Sequence, residues 1–130
     1  MKIAYPVILT PDETSVLAYF PDFDTGTEGT DLADAIDMSA DAIGLLGITL
    51  EDEGKPIPSP TPIGEISATE PGDIVTLVAV DFTEYRRKHD TRAVRRNVSL
   101  PAWLDDAARL ANINVSAILA AALKKELNIS

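Results

Sequence analysis

"VRRNVSLPAWLDDAARLANINVSAILAAALKKEL" occupies residues 94–127, and its reading decides how the chain is built. In its opening residues the even positions are Val94, Arg96, Val98 and Leu100, and the odd ones are Arg95, Asn97 and Ser99. One face is mostly apolar and the other wholly polar, which is the period-two alternation of a half-buried strand. Pro101 suits the first turn of a helix, where a backbone N–H has no intrahelical acceptor. Trp103, Leu104, Ala107, Ala108, Leu110 and Ala111 then make an apolar stripe. "NIN" (112–114) interrupts it and offers Asn114 as an N-cap. Val115, Ile118, Leu119, Ala122, Leu123 and Leu127 follow i, i+3, i+4, i+7 spacing and predict a second helix. A strand and two helices in so short a segment cannot bury both stripes, and a lone strand leaves two edges unpaired. Dimerisation, with the strand paired to its copy and four helices packed together, meets both needs.

Outward from this segment the composition changes sign. Residues 1–90 carry 18 acidic and 5 basic side chains, whereas residues 91–130 carry 3 and 6, within a net charge of −10. A basic tail suits nucleic acid and an acidic front suits a basic partner. The 130 residues, with 45% hydrophobic and 25% charged content, belong to a globular chain. The chain contains no cysteine, so disulfides and thiolate chemistry are excluded. His89 is the single histidine, so no multi-histidine metal site can form; without a ligand partner nearby it reads as a solvent-exposed side chain. No signal peptide or membrane-length apolar run is evident, and the expected location is cytoplasmic.

The front half reads as β and α elements in the order βββαβ. "KIAYPVILT" (2–10) and "SVLAYF" (15–20) predict an antiparallel hairpin across the "PDET" turn, and a short third strand is expected around Thr25–Thr27. A helix follows, with Thr30 as its expected N-cap, Asp31 and Asp34 near its positive end, and Gly47 as its expected C-cap. Leu32, Ala35, Ile36, Ala42, Ile43 and Leu46 supply its apolar face. "EDEGKPIPSPTPIGE" (51–65) predicts an extended, proline-broken connection. "GDIVTLVAVDF" (72–82) is an apolar run suited to the centre of a sheet. "TEYRRKHDT" (83–91) predicts a short helix or a tether.

The tail resembles the ribbon-helix-helix family of bacterial DNA-binding proteins, in which two chains form an antiparallel ribbon that enters the major groove. The front resembles HicB-type antitoxins of toxin–antitoxin pairs, through Tyr5–Leu9 ("YPVIL"), "YFPDF" (19–23), "GTDLADAI" (29–36), "GKPIPSP" (54–60) and "VTLVAVDF" (75–82). The family's "PDLPGC"-like turn is here "PDFDTG", and Arg96 stands in a ribbon slot usually filled by an apolar residue. Together these resemblances imply an α+β chain: a toxin-binding βββαβ domain related to part of ribonuclease H over 1–82, a linker over 83–91, and a ribbon-helix-helix module over 92–130.

Set on that ribbon, Arg95, Asn97 and Ser99 would face base edges, since arginine and asparagine bond guanine and adenine bidentately. The resemblance implies a phosphate anchor at Asn114, Val115 and Ser116, at the start of the second helix, and Arg92 and Arg96 would add backbone charge. The implied partners are a HicA-type mRNA-cleaving toxin, operator DNA and a second copy of the chain, with a tetramer left open. Asp22, Asp24, Glu28 and Asp31 are the candidate toxin contacts. No cofactor, metal or catalytic residue is expected. Two alternatives stay open: an orphan ribbon-helix-helix repressor with a ligand-sensing front domain, and a ribonuclease H-like nuclease using Asp22, Asp24, Asp34 or Asp81 around Mg²⁺.

Overall fold

A computed structural model describes residues 2–90 and 92–129. Met1, Thr91 and Ser130, where three of the expected segment ends fall, lie outside the described residues. The chain divides into two compact units, residues 1–92 and 93–130.

The first unit follows the order β1 (Lys2–Pro11), β2 (Val16–Phe20), β3 (Thr25–Gly29), α1 (Leu32–Asp52), a single 3-10 turn at Ile63–Glu65, β4 (Ile74–Asp81) and α2 (Phe82–His89). All strand pairs are antiparallel, in the spatial order β3-β2-β1-β4. The predicted hairpin is present, with Leu9 opposite Ala18 and Pro11 opposite Val16. The run 72–82 is expected at the centre of the sheet, but β4 lies at an edge and β1 is central. The reason is length. β1 spans ten residues and pairs with β4 from Lys2 to Leu9 while its last four residues also pair with β2.

One face of this sheet packs on α1. Tyr5, Val7, Leu9, Val16, Ala18, Phe20, Val78 and Val80 meet Ala35, Ile43 and Phe82 in a single buried cluster. Aromatic edges knit it: Tyr5 meets Phe23 at 5.0 Å and Phe82 at 6.2 Å between ring centroids, both edge-on. The proline-broken segment is strapped to this cluster, since the Tyr5 hydroxyl donates to the Pro58 carbonyl at 2.7 Å and Ile57 packs against the core.

Both expected ends of α1 are corrected. Its N-cap is Asp31, whose carboxylate accepts from the Asp34 N–H at 2.8 Å. Thr30 lies one residue outside and is held by the Asp34 carboxylate, which accepts from its N–H at 2.8 Å. Gly47 does not end the helix, which continues to Asp52. Gly47 is buried, and a Cβ there would overlap the Phe82 ring, so the missing side chain lets α1 and α2 approach closely. Of the expected apolar face, Ala35 and Ile43 are buried and Ala42 and Leu46 pack on the core, whereas Leu32 and Ile36 stay partly exposed. Ser39, unmarked in the sequence, is fully buried, its hydroxyl donating to the Ala35 carbonyl at 2.6 Å.

Residues 82–89, assigned mostly to a linker from sequence, take the helical alternative. Asp81 caps α2 by accepting from the Glu84 N–H. Arg86 reaches across to α1, donating to the Ile48 carbonyl and pairing with Asp52 at 3.1 Å. The Tyr85 hydroxyl donates to Asp41, and the exposed His89 ring stacks on Tyr85 at 4.1 Å.

The second unit contains α3 (Ala102–Leu110) and α4 (Val115–Glu126), joined by a turn in which Asn112 takes a positive φ of 55°. The predicted Asn114 cap forms, its side chain accepting from the Ala117 N–H at 3.1 Å. Pro101 sits at the N-cap position of α3, one residue before the helix proper. Residues 93–100 carry no regular secondary structure in the single chain, and every one of them is exposed.

Candidate functional site

The acidic candidates of the first unit fall into two groups. Asp22 is committed to the fold: its carboxylate accepts from the Thr61 N–H at 3.1 and 3.2 Å and from the Thr61 hydroxyl at 2.6 Å, pinning the proline-broken segment to the turn after β2. Asp31 is likewise occupied as the α1 cap, and Asp34 by Thr30. Asp24 and Glu28 lie on the other side of the sheet. Asp24, at φ 49°, accepts from the Tyr19 hydroxyl at 2.6 Å, and this bond raises the phenol's pKa above its ordinary value. Glu28 stands opposite Leu17 in the β2–β3 register. Asp22, Asp24, Asp34 and Asp81 therefore serve four separate local structures. Among the described residues no group of three or more His, Cys, Asp or Glu side chains could hold a metal ion.

Sequence reasoning missed the face of the sheet turned away from α1. Cross-strand neighbours share a face, so the pairs Ile8–Tyr19, Ile8–Val75, Pro6–Leu77 and Ala4–Ala79 place an almost wholly apolar set there. Leu17, Tyr19 and Leu77 are 48%, 42% and 49% exposed. The signal was present in "SVLAYF", which is apolar at both parities and thus has no solvent face.

In the second unit Arg95, Arg96, Asn97 and Ser116 share one groove, and Ser99, Asn114 and Val115 do not line it. Residues 93–97, including Arg95, Arg96 and Asn97, line a groove with Ser116, Leu119, Ala120 and Leu123 of α4. Arg95, Arg96, Asn97 and Ser99 are all exposed, and Asn114 and Val115 open α4. The Asn114 side-chain oxygen is used by its own helix. Among the described residues of this unit none is buried: Val94 is 87% exposed, Trp103 71% and Leu110 90%. Arg92, at the end of the first unit, forms a two-bond fork with Asp90, Nε to Oδ1 at 2.9 Å and Nη2 to Oδ2 at 3.0 Å. The fork holds the Asp90 carboxyl at about 2, well below the usual carboxylate range, and raises the Arg92 pKa. Among the described residues no helix is long and apolar enough to cross a membrane.

Comparison with known proteins accords with this architecture. The family described as HicB_like antitoxin of bacterial toxin-antitoxin system matches residues 5–123. Among solved structures, a toxin–antitoxin complex from Streptococcus pneumoniae superposes with a TM-score of 0.63 at 22% identity, covering 97% of this chain and 99% of its own. The antitoxin HicB of Burkholderia pseudomallei gives 0.57 at 24%, covering 97% of each chain. A chain of the HicA3 and HicB3 toxin–antitoxin complex gives 0.52 at 27%, with 61% of this chain covering 99% of that one. A search of curated proteins finds no match. With 119 of its 130 residues inside the family match, the chain belongs to the HicB-like antitoxins of bacterial toxin–antitoxin systems.

Proposed function

We propose that the chain neutralises a HicA-type toxin through its acidic first unit and represses its own operon through a dimer of its second unit. The observation that carries the second half is that no residue in 93–129 is buried, the apolar stripes included. Two helices with Val115, Ile118, Leu123 and Leu127 open to water do not form a stable unit alone, and a second copy supplies the missing surface. Pairing residues 94–100 with their copy would also give that segment the strand its alternation calls for. In this register Val94, Val98 and Leu100 turn towards the helices, while Arg95, Asn97 and Ser99 face the major groove. Arg96 breaks the inward face and lies near the exposed end of the ribbon, where it meets phosphate. The first turn of α4, at Val115 and Ser116, anchors another phosphate by its free N–H groups and dipole.

The toxin half is supported by family membership and by the complex of HicA3 with HicB3. The share of this chain matched there exceeds what the second unit, under a third of the chain, can supply. An acidic partner competes with RNA for a cationic toxin surface and associates quickly. The test of repression is a gel-shift titration on the DNA upstream of the chain's own reading frame. Asn97→Ala should weaken specific binding by about 1–3 kcal/mol without changing the dimer's mass. Unchanged sequence preference would overturn the register.

A further inference from the structure

We infer that the sheet face turned away from α1 is the docking surface for the toxin, a small basic protein that presents an apolar contact within a cationic surround. This rests on the antitoxin reading above and adds the place of contact. The centre of the face is apolar. Ile8, Leu17 and Tyr19 line a hollow with Gly26 and Glu28, and Leu77 continues it across β1. Gly26 stands opposite Tyr19, where the absence of a side chain leaves the ring uncovered, and a Cβ there would run into the Ala18 carbonyl. Half-exposed Leu17 and Tyr19 on β2 and Leu77 on β4 flank the buried Pro6 and Ile8 of β1 on one face, and apolar side chains of this size open to water mark an interaction site on a chain otherwise rich in charge.

The rim decides the occupant. Glu28 is on the face itself, Asp24 is tied to the Tyr19 hydroxyl, and Asp73 accepts from the Thr10 hydroxyl at 2.8 Å. Among the described strand positions of this face the one cation is Lys2, at the far end opposite Asp81. Two copies of the chain stacked through this face would set acid rim against acid rim, and like charges across an interface cost affinity. A cationic protein meets the same rim with attraction, while its apolar contact fills the hollow, giving the apolar centre and polar border of a specific interface.

The test measures binding of the full chain to the small basic protein whose reading frame adjoins its own. Leu17→Glu and Leu77→Glu should each weaken binding at least about 30-fold. Leu45→Glu, on the exposed side of α1, should not. A third variant, Glu28→Lys, changes only the exposed rim and should slow association about tenfold at low salt; it serves if the leucine variants unfold by circular dichroism. If the parent chain binds and these variants bind equally well, the face is wrong and the antitoxin reading stands. If the parent chain does not bind, the antitoxin reading itself fails. If the leucine variants keep their affinity but lose oligomer mass in sedimentation, the face belongs to a second copy and the inference is overturned.

Discussion

Gly47→Ala should destabilise the first unit, although a helix interior ordinarily gains from that exchange. The intrinsic gain is about 1 kcal/mol, because alanine loses less backbone freedom than glycine on becoming helical. Against it stands the Phe82 ring, buried and fixed by Tyr5, over which the new methyl would sit. Forcing a methyl into a filled core costs about 1–3 kcal/mol, so the net expectation is a loss of up to about 2 kcal/mol. For a domain of this size that lowers Tm by roughly 4–8 °C per kcal/mol. The two units can be followed separately, since all three tyrosines lie in the first and Trp103, the single tryptophan, lies in the second. Denaturant titration read by tyrosine near-ultraviolet circular dichroism should show an earlier midpoint, with the tryptophan signal unmoved. In a Phe82→Leu background, where the ring is gone, the same Gly47→Ala change should become neutral or stabilising. A Gly47→Ala chain that gains stability in the parent background would refute the close-approach argument.

Other outcomes follow from the same geometry. Asp22→Ala removes three hydrogen bonds to Thr61 and should cost about 1–3 kcal/mol, with faster amide exchange around residue 61 while the sheet stays protected. Leu123→Asp should make the full chain monomeric in sedimentation equilibrium and abolish operator binding, and a dimer that survives would refute packing through α4. The Asp90 carboxyl titrates at about 2 in the folded chain, below its unfolded value. Its contribution to stability is therefore present above the unfolded carboxylate range and is lost as pH falls from about 4 towards 2. Asp90→Asn should flatten that acid limb, and an NMR titration of Asp90 with an ordinary midpoint would refute the fork. Freed of Asp90 in the same variant, Arg92 should bind DNA no more weakly than in the parent chain.

The amino-acid sequence by itself determined the element order of the first unit, the two helices of the second and the Asn114 cap. Period-two and period-3.6 patterns, the proline breaks and Asn114 are local signals, and local backbone preference acts on them without help from distant residues. The same holds for the charge change near residue 91 and for the motif order that placed the chain in its family. Tertiary structure decided the rest. "IVTLVAV" carries the composition of a central strand, yet strand order depends on which partners β1 can reach along its length, and no residue of β4 encodes that. Gly47 reads as a helix end because glycine usually marks one, and only the nearness of Phe82 shows that it makes room for a ring. Asp22 and Asp24 are two residues apart and equally acidic, yet one faces Thr61 and the other Tyr19. That difference leaves Asp24 on the rim of the apolar face and spends Asp22 on holding the fold together, because a carboxylate's role is set by the donors that the folded chain brings to it.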